Sequence, residues 1–188
     1  MGKLGQIAPR PAVFLDRDGV LNEAVVRDGK PYPPADADSL VIPPDTLPLL
    51  RELKEAGYWL ICVTNQPDVA RGTRTLTNVL AMCARVSASL PLDATRVCLH
   101  DGADRCPCRK PQPGMLLEAA AEFSISLAQS FMVGDRASDV GAGRAAGTRT
   151  IFIDRGYREP PPDPPADFVR GSLAEAVALI LSLTERTP

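Results

Sequence analysis

Short apolar runs alternate along this chain with longer stretches of helical periodicity. Ala12-Val13-Phe14-Leu15, Trp59-Leu60-Ile61-Cys62-Val63, Val97-Cys98-Leu99, Phe131-Met132-Val133 and Thr150-Ile151-Phe152-Ile153 are continuous and polar-bounded. That is the pattern of strands buried on both faces. Between them, residues 47–56, 76–90, 115–123 and 139–146 read as helices. In the second, Leu76, Val79, Leu80, Cys83 and Val86 recur on one face. Gly57 and Gly147 are placed as helix C-caps, and Pro113 can open the third helix, where its missing N–H costs nothing. Ser172 with Glu175 resembles a capping box for a last helix through Leu183. Strands alternating with helices predict right-handed crossovers and an α/β fold: three layers around a mainly parallel sheet.

Two stretches break this rhythm. Residues 22–44 are polar and proline-rich, too long for a plain connection, and predict a turn-and-flap over one end of the sheet. Glu-Pro-Pro-Pro-Asp-Pro-Pro at 159–165 reads as a polyproline-like strap, and a passive connector is its simpler reading.

The length, 188 residues, suits one domain spanning 1–188 with a single core. Hydrophobic content of 45% and a formal charge of −2 point to a soluble globular protein. No basic block suggests nucleic acid, and no apolar run approaches the ~20 residues of a membrane span. Met1 to Pro11 lacks a signal-peptide core, and Gln6 stands where a myristoylation signal needs Ser or Thr. Five cysteines, an odd number, argue against a disulfide framework and for the reducing cytoplasm. Cys62 and Cys83, on periodic apolar segments, read as buried filler. A monomer is expected, with a small molecule as its partner.

Three of those cysteines share one loop with the chain's sole histidine: Cys98-Leu99-His100, then Cys106-Pro107-Cys108. Two short arms bearing sulfur and imidazole can close a tetrahedron around Zn²⁺, and four protein ligands leave no position for a substrate. The expected zinc is therefore structural, in a loop at about 98–110. It runs directly into Arg109-Lys110-Pro111, so a metal knuckle would fix two cations in place.

In an open parallel sheet, ligands bind outside the carboxyl ends of the strands. The first strand runs into Asp16-Arg17-Asp18-Gly19, and the next ends in Thr64-Asn65-Gln66. After the zinc loop come Arg109 and Lys110, and a later strand ends in Gly134-Asp135-Arg136 with Asp139 one turn on. Carboxylates, a hydroxyl and cations from four segments thus converge on one edge. Asp139 can be either a supporting carboxylate of this site or a helix-start acid favoured by the dipole. Arg71 and Arg74 can line a phosphate funnel, but a solvated helix start is the favoured reading.

These four segments resemble the signature of the haloacid dehalogenase superfamily of phosphohydrolases: Asp-x-Asp-Gly, strand-end Thr, Lys and Gly-Asp-x-x-x-Asp, in that order. The zinc loop followed by Arg-Lys-Pro narrows the resemblance to the branch of heptose-bisphosphate and histidinol-phosphate phosphatases. It covers Val13 to about Leu183. It implies a Rossmann-like sandwich without a large cap domain. It also implies an Mg²⁺-dependent phosphomonoesterase, with Asp16, the Asp18 carbonyl and Asp135 as metal ligands. Asp16 would be the nucleophile that forms an aspartyl-phosphate, and Asp18 the general acid and base. Thr64 and Lys110 would hold the phosphoryl oxygens. Asn65, Gln66, Arg109 and Arg136 would face the rest of the substrate, for which the resemblance suggests a sugar phosphate, foremost heptose 1,7-bisphosphate.

One departure bears on substrate choice. The turn that usually reads Ser-Gly-Ile-Ala-Arg-Gly in the heptose phosphatases is Pro67-Asp68-Val69-Ala70-Arg71-Gly72 here. Histidinol phosphate is the rival substrate. A catalytically idle zinc module that binds a partner is the rival of another class, although Asp16, Asp18 and Lys110 are all present.

Overall fold

The computed structural model describes residues 9–184, so most of Met1 to Pro11, the stretch expected to carry no targeting signal, lies outside the described residues. The sheet has six strands: β1 (Ala12–Leu15), β4 (Trp59–Asn65), β5 (Ala94–Cys98), β6 (Phe131–Gly134), β7 (Arg149–Ile153) and β8 (Phe168–Arg170). Their order is β5-β4-β1-β6-β7-β8, and every neighbouring pair is parallel. The chain builds outward from β1 to one side, then returns across it to build the other side. That reversal opens a crevice at the carboxyl end of β1, where open α/β sheets bind ligands.

The helices match the periodic stretches to within two residues: α1 (Thr46–Glu55), α2 (Leu76–Ser89), α3 (Gly114–Phe123), α4 (Ala137–Ala146) and α5 (Leu173–Thr184). Strand alternation sorts the core into two layers. Val13 and Leu15 of β1 pack with Leu50 and Leu53 of α1, Met82 of α2 and Ile180 of α5. Ala12 and Phe14 face Leu116 of α3 and Ala142 of α4 on the other side. Each fully buried aliphatic or aromatic side chain here contributes about 1.5–3 kcal/mol.

Gly57 and Gly147 both adopt positive φ at helix C-termini, as expected. The last helix is capped differently: Ser172 Oγ accepts the Glu175 N–H, but the Glu175 carboxylate reaches the Gly171 N–H, so the box is only half formed. The strand expected at 97–99 instead spans Ala94–Cys98 and is only half-buried. It is an edge strand with one neighbour, and its polar Thr95 and Arg96 obscured its start.

The predicted flap is a hairpin of β2 (Val25–Arg27) and β3 (Lys30–Tyr32). Arg74 fastens it to α2, donating to the carbonyls of Pro34 and Ala35 at 2.7 Å. The favoured solvated reading of Arg74 therefore fails, because these carbonyls offered it partners that only the folded flap brings near. The proline strap crosses beside the hairpin, where the Arg158 N–H donates to the Gly29 carbonyl at 2.7 Å. It is not a passive connector, since Glu159 and Pro160 line the central cavity.

Candidate active site

The buried apolar strand β1 ends at Asp16, and the chain then closes into a tight loop. The Gly19 N–H donates to the Asn22 carbonyl at 2.7 Å, with Gly19 at φ +89°. Arg17, fully buried, turns inward rather than to solvent. Its guanidinium forks onto both Asp18 carboxylate oxygens at 2.8–3.2 Å and touches Cys83 Sγ at 3.4 Å. Burial alone would lower the pKa of this guanidinium, but the charge of Asp18, the Cys83 sulfur and the hydrogen bonds to both together outweigh it and hold Arg17 ionised. Asn22 Nδ2 and Gln66 Nε2 complete the cradle around Asp18, at 3.0 and 2.9 Å.

Lys110 projects from the loop after the cysteine cluster into the floor of the crevice. Its Nζ lies 2.6 Å from Asp16 Oδ1, 2.7 Å from the Val63 carbonyl and 2.7 Å from Asp139 Oδ1. Asp139 thus contacts Lys110 and also lies at the start of α4, where its Oδ2 accepts the Arg136 N–H. Burial raises the Asp16 carboxyl from its ordinary 3.8 to about 6, against the opposing pull of Lys110. Asp135 is driven well above its ordinary value by burial and then by Asp16 and Asp139; the Tyr157 phenol beside it works in the other direction. Neither Asp135 oxygen has a hydrogen bond of normal geometry.

Oxygens of Asp16, Asp135 and Asp139 lie within 4.8 Å of one another. With all three ionised, the carboxylates face one ammonium there, an excess of two negative charges in a buried nest. Hard oxygen donors, a doubly negative deficit and the unpartnered Asp135 carboxylate fit a small dication such as Mg²⁺.

Above this floor opens a cavity of about 700 Å³. Asp16, Asp18, Thr64, Asn65, Gln66, Arg109, Lys110 and Arg136 all line it, so every polar side chain singled out for catalysis or substrate contact reaches one space. The four singled out for substrate contact also bond to protein. Asn65 and the Lys110 backbone exchange hydrogen bonds at 2.9 and 3.1 Å, and Gln66 donates to Thr64 Oγ1 as well as to Asp18. Arg136 pairs with Glu159 of the strap. Arg109 donates to the His100 carbonyl at 3.1 Å. Arg71 is exposed, in keeping with its solvated reading, but it also lines the cavity and forks onto Asp101 at 2.7 and 2.9 Å. The unusual Asp68 lies 3.9 Å from both Arg71 and Arg74, so its charge is answered locally.

The four cysteine and histidine residues also converge. Cys98, Cys106 and Cys108 sulfurs are 3.3–3.6 Å apart, and His100 Nδ1 is 3.3 Å from Cys108 Sγ and 3.7 Å from Cys98 Sγ. Tetrahedral Zn–S bonds of ~2.3 Å place sulfurs about 3.8 Å apart, so this cluster is close to a zinc tetrahedron in size. All five cysteines are free thiols. Burial, then its sulfur neighbours, push Cys108 up to about 12, a crowding that a bound cation would relieve.

Residue patterns did not reveal Arg17, Asn22 or Tyr157 as parts of the site. Only the Asp-Arg-Asp run hinted at Arg17, and an arginine on a loop is solvated by default.

A family model described as HAD-hydrolase-like matches residues 107–176. The D-glycero-beta-D-manno-heptose-1,7-bisphosphate 7-phosphatase of Yersinia pestis is 37% identical, over 88% of this chain and 92% of its own length. The enzyme of the same name from Escherichia coli K12 is 35% identical, over 88% and 91%. Among solved structures, D,D-heptose 1,7-bisphosphate phosphatase from B. bronchiseptica, complexed with magnesium and phosphate, superposes with a TM-score of 0.73. It is 26% identical, and the match covers 92% of this chain and 99% of that one.

Proposed function

The chain belongs to the D-glycero-beta-D-manno-heptose-1,7-bisphosphate 7-phosphatase family, within the HAD-like hydrolases, and on that basis we propose how its residues carry out the reaction. The substrate is heptose 1,7-bisphosphate, and the bond broken joins phosphorus to the oxygen on C7. What supports this reading is the gathering of eight polar side chains over one carboxylate nest suited to a dication.

Asp16, Asp135 and the Asp18 carbonyl would hold Mg²⁺, which when bound supplies the positive charge that lets an anionic nucleophile approach a phosphate dianion. Asp16 attacks phosphorus, and the ester oxygen leaves with the proton that Asp18 donates. Water then attacks the aspartyl-phosphate, giving its proton to Asp18, so inorganic phosphate departs and both carboxyls return to their starting states. Lys110 and Thr64 hold the phosphoryl oxygens, Asn65 fixes the Lys110 loop, and Gln66 steadies Asp18. Arg109 and Arg136 face the sugar end. Zinc on Cys98, His100, Cys106 and Cys108 would set the position of Arg109 and Lys110 without touching the substrate.

Histidinol phosphate fits less well, because its ammonium group would meet a mouth rich in cations. The free thiols suit a reducing cytosol, and among the described residues no helix is long and apolar enough to cross a membrane.

A phosphate-release screen with Mg²⁺ over heptose 1,7-bisphosphate, heptose monophosphates and histidinol phosphate tests the reading. The bisphosphate is expected to be cleaved best, and Asp16→Asn to lose on the order of 10⁴-fold or more in turnover while staying folded. Substantial hydrolysis by that variant would refute the nucleophile.

A further inference from the structure

A bisphosphate brings a second charged group that the reacting floor does not accommodate. Asp16 engages one phosphate, so the other must lie toward the cavity mouth. Six cations line the cavity: Lys30, Arg71, Arg109, Lys110, Arg136 and Arg158. Three are already neutralised, Lys110 by Asp16 and Asp139, Arg71 by Asp101, and Arg136 by Glu159. Arg109 donates only to a neutral carbonyl. Among the described residues, the side chains of Lys30 and Arg158 have neither an ion pair nor a hydrogen bond. Both are exposed, so neither must be stripped from a protein partner before it binds an anion.

These two cations stand on one wall. Lys30 begins the second hairpin strand, immediately after Gly29, and the Gly29 carbonyl accepts the Arg158 N–H at 2.7 Å. The Arg158 side chain lies across the hairpin tip so closely that a Cβ on Gly29 would come 2.7 Å from Arg158 Cγ. Gly29 also needs its freedom to adopt φ +76°. The tip is therefore shaped to bring strap and hairpin together, and the result is two cations on one wall, where the cavity-lining acid of the strap, Glu159, is already paired with Arg136.

We propose that Lys30 and Arg158 form the subsite for the phosphate that is not hydrolysed, and so set the preference for bisphosphates over simple monoesters. Two cations from separate segments suit a dianion, with the Arg158 fork taking two oxygens and Lys30 acting as a point charge. This assignment rests on the phosphatase reading above.

The test compares kcat/KM for heptose 1,7-bisphosphate and for p-nitrophenyl phosphate, with Mg²⁺, in the full-length protein and in Lys30→Gln, Arg158→Gln and the double variant. Each single change is expected to lower the bisphosphate-to-monoester ratio on the order of 10-fold, chiefly through KM, and the double variant to lower it further. Added salt should erode the same ratio in the unaltered protein, as expected for exposed charges. An unchanged ratio, or parallel losses on both substrates, would overturn the subsite. If the unaltered protein cleaves the monoester without preferring the bisphosphate, the subsite is wrong and the phosphatase reading stands. If it cleaves neither, both fall.

Discussion

At Gly19 a missing side chain decides whether Asp135 can sit in the carboxylate nest. A Cβ there would fall 1.8 Å from Asp135 Oδ2 and 3.1 Å from the Tyr157 hydroxyl, on a backbone already at φ +89°. Gly19→Ala must displace the aspartate or the loop, and a shift of about 1 Å in such a group costs on the order of 10²-fold in rate. The expected variant is folded by circular dichroism, slow, and demanding of more Mg²⁺ in a titration of activity. Normal Mg²⁺ dependence would show that Asp135 does not serve the metal. The glycine itself was legible, as part of Asp-x-Asp-Gly. Its reason was not, because residues 19 and 135 meet only when β1 and β6 pair. The same holds for Arg17, whose inward fork onto Asp18 depends on space under α2 that no local pattern describes.

Among the elements, the cysteine-bearing loop is the one whose order the proposed zinc would govern. Apart from Cys98, its ligand residues are exposed or only half-buried, and its helical content is a single turn at Gly102–Asp104, capped by Asp101. A structural zinc contributes folding free energy where no preformed site exists in the unfolded chain. Because the domain has a core of its own, the dependence should be local. Cys108→Ser is expected to lose zinc by elemental analysis, to keep its far-ultraviolet spectrum, and to lose on the order of 10²-fold in activity as Arg109 and Lys110 drift. Full activity in a zinc-free preparation would remove the loop from the mechanism. The helices were legible because each buries a continuous apolar stripe, as α2 does with Val79, Met82, Cys83 and Val86. The hairpin was visible only as a break in rhythm, since its Val25 and Val26 are exposed and follow no core pattern.

For the molecule as a whole, the buried carboxylates make stability and metal affinity depend on pH. The Asp16 carboxyl is raised from 3.8 to about 6 in the folded, metal-free protein, so folding favours its protonated form. That contribution is fully present below pH 3.8 and is lost as pH rises through 6. Asp135 is shifted in the same direction. Mg²⁺ must displace those protons, so its affinity should climb as pH rises through this window. Thermal melts with and without Mg²⁺ from pH 5 to 8 check this, and the stabilisation by Mg²⁺ should be smallest at the acid end. A Mg²⁺ effect independent of pH would disprove the carboxylate nest as its site. The sheet that supports all this was legible from its apolar runs, as was the edge on which the polar residues gather. The partner each polar residue chose was not legible, because that is settled by crossovers joining distant segments. One such crossing has a practical reach. β5 is the outermost strand, and the loop beyond it is registered to the site by the exchange of two hydrogen bonds between Asn65 and the Lys110 backbone. A segment of different length, transplanted between His100 and Cys106 so that the histidine and the cysteines are kept, would bulge into solvent instead of prying strands apart. The scaffold is thus built for grafting: new rims can be tried on an old reaction, provided that one asparagine still finds its lysine.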